Sequence, residues 1–173
     1  GGEPAIAGLV PSDIEIRQNY FYKPWSWRLG HPTYADKHWT IKNLFELKTG
    51  KRVWLDGNVL ENSWADLPTG QSGYAILLTI RTENGGSPQA DVSDIIISNN
   101  IIRHVGAGIS LPGSDDGVGN RSSRIKICNN IFEDINGPAY GDQNIFGPND
   151  GTFLKIGKPE DVWVDHNTVF QTG

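Results

Sequence analysis

Five times along this chain, a short run of alternating apolar and polar residues is followed by an asparagine and another apolar pair. The copies are DIEIRQNYF (13–21), RVWLDGNVL (52–60), DIIISNNII (94–102), RIKICNNIF (124–132) and DVWVDHNTV (161–169). Alternation with period two is the signature of a half-buried strand. It predicts that Ile14 and Ile16, Val53 and Leu55, Ile95 and Ile97, Ile125 and Ile127, and Val162 and Val164 face inward. Glu15, Trp54, Ile96, Lys126 and Trp163 then face outward. The apolar residue two positions after each asparagine (Phe21, Leu60, Ile102, Phe132, Val169) returns to the interior on a second strand after a bend. A third strand precedes the repeat at 44–47, 75–80, 107–111 and 152–156. No long stripe of period 3.6 and no cap-plus-stripe combination is present, so the expected class is all-β.

The aligned asparagines are Asn19, Asn58, Asn100, Asn130 and Asn167, spaced by 39, 42, 30 and 37 residues. A repeat of this length points to a stacked architecture, in which each unit covers the apolar face of the next. The expected fold is a right-handed parallel β-helix, a solenoid of about five coils each pairing with its neighbour about 4.8 Å away. Unequal spacing suits such a stack, because an insertion in one turn leaves the pairing intact. The recurring asparagine is expected to bend the chain, to take left-handed backbone angles and to bond through its amide to the asparagine of the next coil. These five are therefore set aside as ladder residues. The whole chain, 1–173, reads as a single domain, with a first coil at 12–40 that carries an insertion and the remaining coils at 41–173. Neither end shows an evident cap, which predicts an internal fragment of a longer protein or end-on packing against something else.

The coil motif resembles the parallel β-helix repeat of pectate-lyase-like proteins and related bacterial surface and secreted proteins. The likeness covers roughly residues 13–171. DVWVDHN (161–167) also resembles the vWIDH segment of pectate lyases, with Asp165 and His166 in the DH position. SDIEIRQNYFYKPWSW and KNLFELKTGKRV look like segments of large, poorly characterised bacterial β-helix proteins. The resemblance implies the fold, an extracellular or cell-surface setting and a polysaccharide partner. It implies no defined reaction, and the calcium-site pattern of a pectate lyase is not recoverable here.

Composition narrows the alternatives. The net charge is −5, which argues against nucleic acid as the partner. No apolar run approaches the roughly 20 residues a spanning helix needs, so membrane insertion is not expected. A single cysteine, Cys128, excludes an internal disulfide, and GGEPAIAGLVPS at the N-terminus lacks the features of a signal peptide.

Three groups of side chains are candidates for function. The insertion at 19–39 holds Tyr20, Tyr22, Trp25, Trp27, Tyr34 and Trp39, and Trp54, Trp64, Tyr74 and Trp163 lie elsewhere. Aromatic faces stack on sugar rings while indole and phenol groups bond to hydroxyls, so Trp25, Trp27, Tyr34, Trp39, Trp54 and Trp64 are the ligand-binding candidates. The structural alternative is an insertion that buries its own aromatics as a satellite core. The second group sits three and four residues after the ladder asparagines. There Glu61, Arg103 and Glu133 stack as alternating charges, with His104 beside Asn62 and Asp134. A cation flanked by carboxylates can neutralise a uronate and remove its α-proton, which makes Arg103, His104, Glu61 and Glu133 the catalytic candidates. The alternative is an ordinary cross-strand charge ladder. The third group is Asp115, Asp116 and Asn120 in a glycine-rich turn, with Asn149 and Asp150 in another. Their oxygens suit calcium, against the alternative of plain turn chemistry; no other cofactor is expected. No HExxH, other zinc spacing or GxSxG elbow occurs.

Three functions remain in competition: a domain that binds or presents to polysaccharide, a polysaccharide lyase or glycoside hydrolase, and an adhesin-like scaffold that associates end to end.

Overall fold

A computed structural model of the chain describes residues 9–82, 85–114, 120–140 and 151–173. The chain runs repeatedly through the same three sheets. It passes first through β1 (Ser12–Arg17), β2 (Tyr20–Tyr22) and β3 (Phe45–Leu47). The second pass is β4 (Gly50–Asp56), β5 (Val59–Ser63), a short antiparallel pair β6 (Ala65–Asp66) and β7 (Gln71–Ser72), then β8 (Tyr74–Leu78). The third is β9 (Val92–Ser98), β10 (Ile101–Val105) and β11 (Ala107–Leu111). The fourth is β12 (Ser123–Cys128), β13 (Ile131–Ile135), a four-residue helix α1 (Gly137–Tyr140) and β14 (Leu154–Ile156). Then follow β15 (Glu160–Asp165) and β16 (Thr168–Gln171). The first sheet has the order β1-β4-β9-β12-β15, the second β16-β13-β10-β5-β2 and the third β14-β11-β8-β3. Every pairing within these three is parallel, so the architecture is all-β with parallel sheets.

The repeat read from the sequence sets the register. Ile14, Val53, Ile95, Ile125 and Val162 stand opposite one another across the first sheet. Val53, Leu55, Ile95, Ile97, Ile125 and Ile127 are buried, and Ile14, Ile16 and Val162 pack against them. Leu60, Ile102 and Phe132 join from the second sheet, and Ile76, Leu78, Ile109 and Leu111 from the third. Each such fully buried side chain is worth roughly 1.5–3 kcal/mol. Val164 and Val169 lie on β15 and β16, the outermost strands of their sheets, and stay partly accessible. The third-sheet strand at 107–111 matches its expected bounds; β3 begins one residue after the expected 44, β8 spans 74–78 against the expected 75–80, and Thr152 and Phe153 lie outside β14.

The asparagines form one continuous ladder. The side-chain amide of each donates to the Oδ1 of the next, Asn19 to Asn58 at 3.1 Å, Asn58 to Asn100 at 3.0 Å, and Asn100 to Asn130 and Asn130 to Asn167 at 2.9 Å. The backbone N–H groups of Asn19, Asn58, Asn100 and Asn130 donate to the same oxygens. The expected left-handed angle falls one residue earlier. Gln18, Gly57, Asn99, Asn129 and His166 have φ between +50° and +65°, and the ladder asparagines do not. The preceding residue makes the bend, which leaves each asparagine side chain free to point along the stack.

A second left-handed position recurs after the ladder. Asn62, His104 and Asp134 have φ of +67°, +54° and +52° and step out of the pairing, which jumps from Arg103 to Val105. Such a bulge inserts one extra residue between two inward positions. Ile102 and Val105 are both buried, so Arg103 and His104 between them are both displaced toward the outer side of the second sheet. A third left-handed set, Asp13, Arg52, Asp94, Arg124 and Asp161, alternates in charge across the first sheet. Arg52 grips Asp13 through two bonds of 2.6 and 2.8 Å, and Arg124 grips Asp94 at 2.6 and 2.9 Å.

Candidate functional site

The bulge in the second sheet meets the aromatic insertion. The insertion leaves β2 through Lys23, whose N–H donates to the Glu61 carbonyl and whose own carbonyl accepts from the Asn62 amide at 2.8 Å. Pro24 holds an extended backbone, and the chain then tightens into a 3-10 turn at Trp25–Trp27. From the other side, α1 follows β13 directly. The Asn136 side-chain oxygen accepts from the Ala139 N–H at 2.8 Å, a helix N-cap that sets where Tyr140 lands.

Trp25 is where the two segments join. Its ring stacks with Trp64 and with Tyr140 at 5.4 Å, and with His31 at 5.5 Å. Arg28 lies 5.7 Å from the centroid of Trp25 and 5.6 Å from that of Tyr140, and one guanidinium nitrogen donates to the Ala139 carbonyl. Trp25, Arg28, His31, Glu61, His104 and Tyr140 line a pocket of about 340 Å³. That volume lies at the small end of ligand pockets, about 300–1,000 Å³.

Two carboxylates organise its polar wall. Glu61 accepts from the Tyr20 hydroxyl at 2.6 Å and from Arg103 at 3.0 Å. Burial raises the Glu61 carboxyl, but the bonds from Tyr20 and Arg103 outweigh it and hold the group below its ordinary value. Asp134 accepts from the Tyr140 hydroxyl at 2.7 Å, sits 2.9 Å from His104 Nδ1, and also accepts from the Thr172 hydroxyl. Burial again acts upward, and the bonds from His104, Thr172 and Tyr140 prevail, so Asp134 stays ionised at neutral pH. The Tyr140 phenol is pushed up to about 12 by burial and by its bond to Asp134. An ionised carboxylate only accepts, so His104 Nδ1 must donate to it. The Nε2 atom of a neutral His104 ring is thereby left as an acceptor.

The sequence-derived candidates separate into several places. Glu61, Arg103 and Glu133 do stand in register, and Glu61 and His104 enter the pocket with Trp25. Glu133 is exposed beside Arg103, outside the pocket lining. Trp64 is corrected from ligand platform to core: it is 2% exposed and backs the ring of Trp25. Trp54 does face outward on the first sheet, but Arg17 covers its ring at 4.3 Å and its indole N–H donates to Ser98 at 2.9 Å. Trp27 and Trp39 form a separate exposed pair 6.0 Å apart, with Lys37 4.2 Å above Trp39. Tyr34 is half-buried, tied by its N–H to the His31 carbonyl at 2.9 Å. Asp115, Asp116, Asn149 and Asp150 lie outside the described residues, and Asn120 is exposed. Among the described residues no group of three or more His, Cys, Asp or Glu is arranged to hold a metal ion.

Arg28, His31 and Tyr140 were not among the residues singled out from the sequence. Arg28 and His31 sit inside the aromatic insertion as its polar members, and that setting was their only signal. Tyr140 is carried by a helix too short to leave a period.

Comparison of the chain with protein-family models, with curated proteins and with solved structures returns no match.

Proposed function

We propose that the three sheets wind as a right-handed parallel β-helix of the pectate-lyase-like kind, and that the domain binds polysaccharide in the pocket between the insertion, α1 and the second sheet. The recurrent sheet order and the asparagine ladder support the fold. The observation that carries the function is the convergence of Trp25 and Tyr140 with Glu61 and His104 on one pocket. Aromatic surface offers a sugar its apolar contact, and the carboxylate and imidazole offer its hydroxyls acceptors. An extracellular or cell-surface setting goes with this reading.

The test is a polysaccharide panel at neutral pH, with and without calcium, scoring retention and product release together. Retention without products is the expected result, weakened at least tenfold by Trp25→Ala and little changed by Trp163→Ala. No retention of any glycan overturns the reading. One observation favours a second reading, a lyase: His104 is oriented by Asp134 with Nε2 available as a base. That reading requires an unsaturated uronate product, seen as ultraviolet absorbance and abolished by His104→Ala.

A further inference from the structure

Among the described residues, each carboxylate at the pocket is held by donors from neighbouring side chains, whereas one cation has no carboxylate partner. Glu61 is paired with Arg103 and bonded by Tyr20. Asp134 is occupied by His104, Tyr140 and Thr172. Arg28 takes part in no ion pair among the described residues, although it lines the same pocket. Among the described residues its one hydrogen bond goes to a neutral carbonyl, that of Ala139, out of the five N–H donors a guanidinium carries. The faces of Trp25 and Tyr140 flank it within cation–π range. A guanidinium stays charged in any such setting, so half-burying it without a counter-charge is costly unless an anion completes it.

We infer that Arg28 is the specificity residue of this pocket and reserves it for a sugar ring that carries an anionic substituent, a carboxylate or a sulfate ester. The inference rests on the glycan-binding reading and sharpens it. The anion would meet the free edge of the guanidinium while the ring lies against the aromatic wall. Fork-like donors favour planar or tetrahedral oxyanions with two oxygens to offer. The competing role is a clamp: Arg28 joins the insertion to α1 and would then matter only for the shape of the pocket.

The experiment titrates tryptophan fluorescence with three oligosaccharides of equal length: one containing uronate, its carboxyl-reduced neutral counterpart and a sulfated one. Inorganic sulfate alone serves as a fourth probe. Wild type, Arg28→Lys and Arg28→Gln are compared, with thermal melts to verify folding. A charge-assisted bond predicts about a tenfold or greater preference of wild type for an anionic over the neutral ligand. Arg28→Gln should level that preference by weakening the anionic ligands far more than the neutral one, and Arg28→Lys should keep part of it. The carboxylate and sulfate arms identify which anion is preferred. Equal binding of anionic and neutral ligands by wild type overturns the inference and leaves glycan binding standing. Loss of neutral binding in both variants also overturns it, in favour of the clamp. Binding of no oligosaccharide overturns the glycan reading itself. In that case a saturable response to sulfate that Arg28→Gln removes supports an anion site, and no response refutes it.

Discussion

Replacing Asn100 with alanine should be among the most damaging single changes in the molecule, although it removes only a small polar side chain. Asn100 is 1% exposed and sits in the middle of the ladder. Its Nδ2 donates to the Leu55 carbonyl and to Asn130 Oδ1, both at 2.9 Å. Its Oδ1 accepts from the N–H and the side-chain amide of Asn58 at 2.9 and 3.0 Å. Asn130 Oδ1 keeps the backbone N–H of residue 100 as a donor after truncation. Asn58 is equally buried: its Nδ2 keeps the Ile16 carbonyl at 2.8 Å, but its backbone N–H loses its acceptor and one amide hydrogen loses its partner. Each orphaned buried donor costs about 1–3 kcal/mol, so Asn100→Ala should lose roughly 2–4 kcal/mol. Asn19 offers the internal control. It donates to Arg17 and Asn58 from an exposed position, and its removal orphans no buried donor. Asn19→Ala should cost under about 1 kcal/mol. Equilibrium urea unfolding, followed by tryptophan fluorescence, reads the difference as a shift in midpoint at constant slope. A loss below about 1.5 kcal/mol at Asn100, or equal losses at both positions, refutes the claim that the buried ladder acts as a coupled network.

Other outcomes follow from the same geometry. A Cβ on Gly108 would lie 2.3 Å from the Phe153 carbonyl oxygen and 3.2 Å from the Phe132 ring, so Gly108→Ala should cost about 1–3 kcal/mol, read as a lower melting temperature. A Cβ on Gly57 would meet only Gln18 Cγ, at an ordinary 3.8 Å, and its φ of +65° is close to those of Asn99 and Asn129 at the equivalent bends, so Gly57→Asn should change stability by less than about 0.5 kcal/mol in a urea titration. The folded Asp134 carboxyl lies below its ordinary value of 3.8; its contribution is therefore complete above that value and lost as pH falls through the lower, folded one. Urea midpoints measured from pH 7 to pH 2.5 should fall more steeply in wild type than in Asp134→Asn, and parallel profiles would contradict this.

Much of the fold was legible because period two and a fixed asparagine survive every insertion. Alternation alone placed Ile95, Ile97, Ile125 and Ile127 in the core, and the offset from the asparagine placed Leu60, Ile102 and Phe132 beside them. The left-handed bend was not legible. Gln18, Gly57, Asn99, Asn129 and His166 have no single side-chain type in common, so the bend falls where only the backbone repeats. The charge stack of Glu61, Arg103 and Glu133 could be read because register follows from the repeat. The bulge that turns His104 outward next to Arg103 was not part of that reading, since a single extra residue looks like ordinary spacing. Trp64 was misassigned because it lies just past β5, where the alternation stops and gives no inside or outside. The meeting of Trp25 with Tyr140 and of Arg28 with Ala139, 111 residues apart, depends on how the insertion folds back, and no local pattern encodes it.

The central claim is that glycan binds at the Trp25 pocket and not on the outer face of the first sheet, where Trp163 is 71% exposed. The chain has six tryptophans, so six indole N–H signals can be followed by NMR while the best-retained oligosaccharide is titrated. The account predicts a saturable shift of the Trp25 signal, a smaller one for Trp64 behind it, and none for Trp163. A shift confined to Trp163 and Trp54, with Trp25 unmoved, would contradict it.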